Sequence, residues 1–349
     1  MATLATTPTV LSRVVHDLLS IQDAHKNFSI KLTNNGRNPK EERIGEGSFG
    51  SVFLGEASID GHRREVVIKI ARMTKDCTLA PRKRVTRLLR EVVVWSVLNH
   101  CNVATFLGLD FSDTNVKQLM VMDASTDAPD HDLTRGLRMP GLVSPHLKWG
   151  ILEYVKGRPN RREACVTDLA RGLTYLHQNY VIHGDLRPEN IRVDHDGVVK
   201  LIDFGFSKLE YCSGFTTGSY SGLSLRFTAP EVIIPPGGLP SRPTFKSDIY
   251  SFSMCMLQVL VYSCAPPHLS VPFNHLQQPE SAAWKYLQAI CMDAQRPLRE
   301  NYPAVITDSQ WNLMVRCWSH EKNLRLEIHQ AFENLSGNRC TTSTGKCWL

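Results

Sequence analysis

The chain has 349 residues, of which 42% are hydrophobic, and carries a formal charge of +6. That length supports a sizeable core and more than one lobe. No apolar run approaches the roughly 18 residues of a membrane span, and so modest a charge gives no footprint for nucleic acid.

The opening stretch, MATLATTPTVLSRVVHDLLS, lacks a basic region followed by an apolar one, so no secretory signal is expected. The ten cysteines show no CxxC spacing. Cys165, Cys255, Cys291 and Cys317 lie in apolar surroundings and read as buried free thiols of a reducing compartment. An intracellular, cytoplasmic setting is the matching expectation. The C-terminal KCWL holds Cys347 third from the end, out of register for prenylation.

In chain order, residues 1–40 are polar with one amphipathic patch (Val14, Leu18, Leu19) and read as an extension, either a short packed helix or a disordered lead. Alternating apolar positions then surround glycines in RIGEGSFGSVFLGEA and in EVVIKI. Val52 and Leu54 fit one strand and Val66, Ile68 and Ile70 the next, with a DG turn at 60–61 between them. The basic stretch PRKRVTRLLR at 81–90 reads as a solvated helix start. Val85, Leu88, Val92 and Trp95 follow helical spacing over 84–99. Glu91 shares their inward face, and a carboxylate there calls for a cation, with Lys69 the candidate.

A strand is expected within 103–111, followed by an irregular insertion over 112–140. The last strand before the helical half is GLVS at 141–144, preferred over LMVMD at 119–123 because it leaves a short connection at 145–148. A helix follows at 161–179, with Val166, Leu169, Leu173 and Leu176 inward. Strands at 191–193 and 198–202 are joined by HDG, and Ile249, Phe252, Met256 and Val259 mark a buried helix. Strands first and helices after give an α+β layout of two lobes.

Chemistry concentrates in a few segments. Gly45, Gly47 and Gly50 form G-x-G-x-x-G ahead of Val52. A dinucleotide fold would follow such glycines with a helix, whereas here a second strand follows, which favours a hairpin pressed on phosphates. Lys69 ends VVIK and, held by Glu91, can grip phosphates as a point charge. In HGDLRPEN, Asp185 can accept a hydroxyl proton, Asn190 can give an oxygen to magnesium and Arg187 can stabilise migrating phosphoryl charge. Asp203 of IDFG ends a strand and suits a hard cation. Each of these alone is more often a polar surface residue; the joint order is what argues for phosphoryl transfer.

On those segments the chain resembles a eukaryotic protein kinase domain over about residues 40–335. HGDLRPENI resembles the catalytic loop, KLIDFGFSKL the magnesium segment, RFTAPEV the end of the activation segment and SDIYSFSM a helix that anchors the large lobe through Asp248. RCWSHEKNLRLEI resembles the closing segment of the tyrosine-kinase-like group, and the resemblance implies that Arg325 pairs with Glu231. GLVSPHLKWGILEYV and HGDL are similar to kinases expanded in mushroom-forming fungi.

The resemblance further implies a β-rich N-lobe (about 41–144), a hinge (145–148), an α-rich C-lobe (149–336) and a tail (337–349). ATP and Mg2+ are implied cofactors, with protein substrates carrying Ser or Thr hydroxyls. Ile44, Gly45, Gly47, Gly50, Val52, Lys69, Ser144 and Leu147 would contact nucleotide. Asp185, Lys69, Glu91, Arg187 and Asn190 would form the catalytic set, and Asn190 and Asp203 would hold metal. Two departures stand out: Gly184 replaces a common arginine, and NLRLEI lacks the usual proline after its arginine. A non-catalytic scaffold, a dual-specificity kinase and a small-molecule phosphotransferase remain alternatives.

Overall fold

The computed structural model describes residues 28–31, 43–47, 50–59, 61–71, 88, 91–110, 140–204, 208–209, 225–234, 242–262, 264, 266, 270–276, 284–302 and 304–337. The amphipathic patch at 14–19, the expected 112–140 insertion with its LMVMD candidate (all but Pro140), and residues 210–224 lie outside that set. The chain divides into two compact units, residues 1–98 with 105–146, and residues 99–104 with 147–349.

The first unit is an antiparallel sheet. Its strands are β1 (Phe28–Lys31), β2 (Arg43–Gly47), β3 (Gly50–Ile59), β4 (His62–Ala71), β5 (Gly108–Asp110) and β6 (Gly141–Pro145), in the order β1-β3-β4-β6-β5, with β2 also pairing β3. The β3–β4 hairpin runs from Gly50↔Ala71 to Ile59↔His62. At its turn Gly61 adopts φ +78°, which a side chain would resist.

Side chains alternate across the sheet. Val66 and Ile68 are fully buried on one face with Ala57 and Val143, and Ile59, Ile70 and Leu107 pack around them. Each such side chain contributes roughly 1.5–3 kcal/mol by leaving water. Lys69 therefore belongs to the other face. Val52 and Leu142 stand directly opposite Lys69 in the flanking strands, and Ser144 stands opposite Val67. Residues 91–96 are helical, with Val92 and Trp95 buried and Trp95 packed at 5.5 Å on Phe106.

Three boundaries differ from the sequence reading. Strand β1 lies inside the expected N-terminal extension. It continues the line of β2, pairing with Glu56–Ile59 where β2 pairs with Gly50–Phe53. Residues 32–42 separate the two strands in sequence and are mostly polar without alternation, which hid the strand. Strand β6 extends through Pro145, which pairs with Val66; a proline at a strand end gives up no ladder bond it could have made. Of 103–111 only Gly108–Asp110 is a strand, while Val103 makes an isolated parallel bridge to Leu201 within the second unit.

The second unit is mainly helical: α1 (Ile151–Gly157), α2 (Arg162–Gln178), α3 (Pro230–Ile233), α4 (Phe245–Val261), α5 (Asp308–Cys317) and α6 (Ile328–Gly337). Short strands β7 (Trp149–Gly150), β9 (Ile191–Val193) and β10 (Val199–Leu201) form one small sheet, and β8 (Val181–Ile182) pairs β11 (Lys208–Leu209). Helix α4 opens with a capping box between Thr244 and Ser247, worth about 1 kcal/mol. Ile249, Phe252, Met256 and Val259 are all fully buried. So are the residues between them, and α4 is a central rod surrounded on every side. On α2, Val166, Leu169, Leu173 and Leu176 point inward as their spacing predicts. A Cβ on Gly172 would come within 2.9 Å of Asn102, so glycine permits that close approach. Strand β10 is shorter than the expected 198–202 run. Cys165, Cys255 and Cys317 are buried free thiols, but Cys291 is only half-buried.

Candidate active site

In the first unit, Lys69 Nζ meets Glu91 Oε1 at 2.8 Å. Glu91 is 5% exposed, so an unpaired carboxylate there would be costly. The glycine segment is a strand hairpin: Gly45 pairs with Val52, and Gly47 with Gly50. This is the arrangement expected of a phosphate-covering loop and not of a strand-to-helix dinucleotide turn. Ile44 is half exposed. Val52, Lys69 and Ser144 share one sheet face through their register.

In the second unit, the segment 183–190 is built on α4. Asp248, 1% exposed, accepts the His183 N–H at 2.8 Å and the Gly184 N–H at 2.9 Å. His177 Nε2 lies 3.0 Å from the same carboxylate. Gly184 adopts φ +79°, so glycine relieves strain here as well as removing a cation. His183 is fully buried; its Nδ1 accepts from the Asp185 N–H at 3.3 Å and its Nε2 lies 3.2 Å from the Ile202 carbonyl. These two contacts require the neutral Nε2–H tautomer. Burial lowers the His183 pKa from 6.5, against opposing pulls from Asp248 and Asp203.

The chain then turns back on itself. Asn190 Nδ2 donates to the Asp185 carbonyl at 2.8 Å and to its Oδ2 at 2.9 Å. Arg187 Nε lies 3.5 Å from that Oδ2, yet it is buried without a directed hydrogen bond. The Ile202 N–H donates to the Asn190 carbonyl at 3.0 Å, so Asp203 follows at once. Asp203 adopts φ +65°, a left-handed conformation that Asp tolerates.

With both amide hydrogens spent on Asp185, Asn190 keeps Oδ1 as its oxygen donor. Together with Asp203 it supplies one carboxylate and one amide oxygen. That set fits magnesium, which takes one or two carboxylates and fills the rest of its octahedron with water and phosphate oxygens. Among the described residues no three His, Cys, Asp or Glu side chains form a closed metal cage.

Beside Asp185 lies a small recess lined by Leu186, Phe227, Thr228, Ala229 and Ser251, among others. Its far wall is anchored by Arg325, which grips Glu231 through two bonds of 2.7 and 2.8 Å and also donates to the Ser319 and Lys246 carbonyls. Arg226, which precedes this wall, is buried and donates to the Pro272 and Phe273 carbonyls, with its guanidinium 5.6 Å from the Tyr286 ring. Of the residues predicted for the site, Leu147 has its carbonyl engaged by Arg192. Neither Arg192 nor His177 was singled out from sequence. The signal for Arg192 was a charge inside the strand text NIRV.

Comparison with known proteins fits this geometry. A family model described as protein tyrosine and serine/threonine kinase matches residues 39–335, and the chain belongs to that family. It is 28% identical over 301 residues to the high affinity nerve growth factor receptor of Gallus gallus, covering 84% of this chain and 34% of that protein. It is 29% identical over 284 residues to the serine/threonine-protein kinase CTR1 of Arabidopsis thaliana (80% and 29%). Over 283 residues it is 28% identical to the dual specificity protein kinase shkD of Dictyostelium discoideum (81% and 32%). The chain thus spans about a third of the length of these relatives. Among the described residues no helix is long and apolar enough to cross a membrane.

Proposed function

We propose that the chain transfers the γ-phosphate of ATP to Ser and Thr hydroxyls of proteins. The observation that carries this reading is the Asn190 amide bridging the carbonyl and carboxylate of Asp185. It holds one Asp185 oxygen in place and fixes the Asn190 amide, so the proposed base and metal ligand are oriented together. The substrate hydroxyl gives its proton to Asp185 as its oxygen bonds to the γ-phosphorus; the bond to the bridging oxygen breaks and ADP leaves. Arg187, with its buried Nε unspent on a directed bond, faces the charge on the transferring group. Lys69, oriented by Glu91, holds the α- and β-phosphates under the 45–50 hairpin. Asn190 and Asp203 would hold magnesium, which would supply positive charge to offset that of the phosphates.

Within the family we favour the tyrosine-kinase-like group on the RCWSHEKNLRLEI segment, and kinases of fungal type inside it on GLVSPHLKWGILEYV and HGDL. The Ser/Thr preference accords with the similarity to CTR1. The free cysteines among the described residues fit a reducing, intracellular compartment. The test is incubation with Mg-ATP and peptides bearing Ser, Thr or Tyr. Phosphate should appear on Ser and Thr, and Asp185→Asn should lower turnover by roughly 10³-fold or more while ATP still binds. Near-normal turnover in that variant would remove Asp185 from its role, and labelling of Tyr alone would replace the substrate class.

A further inference from the structure

Arg192 lies on β9 two residues beyond Asn190, in a strand whose other members, Ile191 and Val193, are fully buried. Its side chain does not run to solvent. Nε and Nη2 both donate to the Leu147 carbonyl, at 3.1 and 2.7 Å, and Nη2 reaches the Lys148 carbonyl at 3.3 Å. One guanidinium thus holds two consecutive carbonyls of the segment that joins β6 to α1. Bonds from a charged donor are about twice as strong as neutral ones, and the planar fork suits fixing one geometry. Burial lowers the arginine's pKa from 12.5, with Glu153 opposing, and a guanidinium stays charged regardless.

The Leu147 peptide has another side. Among the described residues its N–H makes no hydrogen bond, whereas the preceding His146 N–H donates to the Glu65 carbonyl at 3.1 Å. The peptide therefore offers a free donor and an acceptor already taken. Adenine presents a ring nitrogen acceptor on its pairing edge. Guanine presents N–H donors at the matching ring nitrogen and at its 2-amino group, and these need acceptors.

We propose that Arg192 sets base specificity: by occupying the Leu147 carbonyl it makes that peptide a donor-only edge, which accepts an adenine nucleotide and disfavours a guanine one. This rests on the reading of Leu147 as a nucleotide-contacting residue. Arg192 acts through the peptide and is a positioning residue. A site whose polar groups would be left unpaired rejects the wrong ligand more strongly than one that only lacks room.

The test compares Mg-ATP and Mg-GTP dissociation constants by calorimetry for the wild-type chain, Arg192→Met and Arg192→Lys, beside thermal midpoints without nucleotide. Arg192→Met keeps the aliphatic stem but removes every donor, and the freed carbonyl can then accept from the guanine amino group. The ratio of GTP to ATP dissociation constants should fall by roughly ten-fold, about one hydrogen bond, and Arg192→Lys should restore part of it. A merely structural role would lower the midpoint and weaken both nucleotides equally, which overturns the inference, as does an unchanged ratio. If Arg192→Met does not fold, the Arg192→Lys ratio decides: equality with wild type across a lost fork geometry overturns the proposal. Failure of the wild-type chain to bind either nucleotide overturns the functional reading and this inference together, whereas ATP binding with an unmoved ratio overturns this inference alone.

Discussion

Two ion pairs, one in each unit, are built to opposite designs. Arg325 and Glu231 meet through two bonds, the arginine side chain is wholly buried, and the same guanidinium also serves two backbone carbonyls. Lys69 and Glu91 meet through one bond, and the lysine remains 20% exposed. The first pair is embedded in a network that leaves the arginine no other task. The second keeps its lysine partly within reach of solvent, which suits the proposed role of a point charge that grips phosphate. What distinguishes the two pairs is the exposure of the cation, 0% for Arg325 and 20% for Lys69.

Double-mutant cycles would break or sharpen that contrast. Arg325→Met should destabilise the chain by about 3–5 kcal/mol, because Glu231 and two carbonyls lose their partner. Adding Glu231→Leu should recover little, since the Ser319 and Lys246 carbonyls stay unsatisfied. Lys69→Met should cost about 1–3 kcal/mol by removing a charged partner of the buried Glu91. Adding Glu91→Leu should recover most of that stability and none of the lost phosphoryl transfer. Chemical denaturation read beside peptide phosphorylation gives both quantities. Equal recovery in the two cycles would show that the pairs do not differ in kind.

The same contrast explains what could be read from the sequence. The Lys69–Glu91 pairing was legible because two periodicities could be laid side by side: β alternation through Val66 and Ile68, and helical spacing through Leu88, Val92 and Trp95. The Arg325–Glu231 pairing follows no local period and reached the sequence reading only through family resemblance. Strand β1 was hidden because the mostly polar residues 32–42 separate it in sequence from β2, so neither fragment alternates long enough to register. Arg192 was missed for a related reason. Its partners are carbonyls, and carbonyls leave no trace in a sequence. Asp248 was named only through the resemblance, because its place under His183 and Gly184 depends on backbone N–H groups, which leave no trace either.

A smaller effect distinguishes the buried 183–190 loop from the sheet. His183 is held neutral by burial, with its pKa lowered from 6.5. Burial likewise lowers His100 and His275. For each, the unfolded chain binds more protons than the folded one near pH 6.5. Their contribution is therefore complete above that pH and is lost as pH falls through 6.5 towards the lower folded values. Asp168, raised by burial from 3.8, works in the opposite sense, nearer the carboxylate range. Protonated His183 would also turn Nδ1 into a donor facing the Asp185 N–H, disturbing the loop that carries the base. The thermal midpoint should decline between pH 7 and pH 5, and His183→Gln should flatten the decline. An equal slope in that variant would remove His183 as a cause.

The smallest expected effect concerns regulation. The segment from Phe206 to Thr228 carries Ser213, Thr216, Thr217, Ser219, Ser221 and Ser224, all outside the described residues. A phosphate placed there orders a loop only by finding a cation. Gly184 provides none. Arg226, the nearer of the segment's two cations to the recess, is already committed to the Pro272 and Phe273 carbonyls and lies against Tyr286. Recruiting it would break buried bonds to charged donors, each worth about 1.5–3 kcal/mol, to gain one nearer solvent. Basal activity should therefore change by less than about two-fold on phosphatase treatment, a limit set by that unfavourable exchange. Mass spectrometry would establish that loop phosphates were removed. A fall to background would mean that a cationic pocket other than Gly184 and Arg226 receives the phosphate.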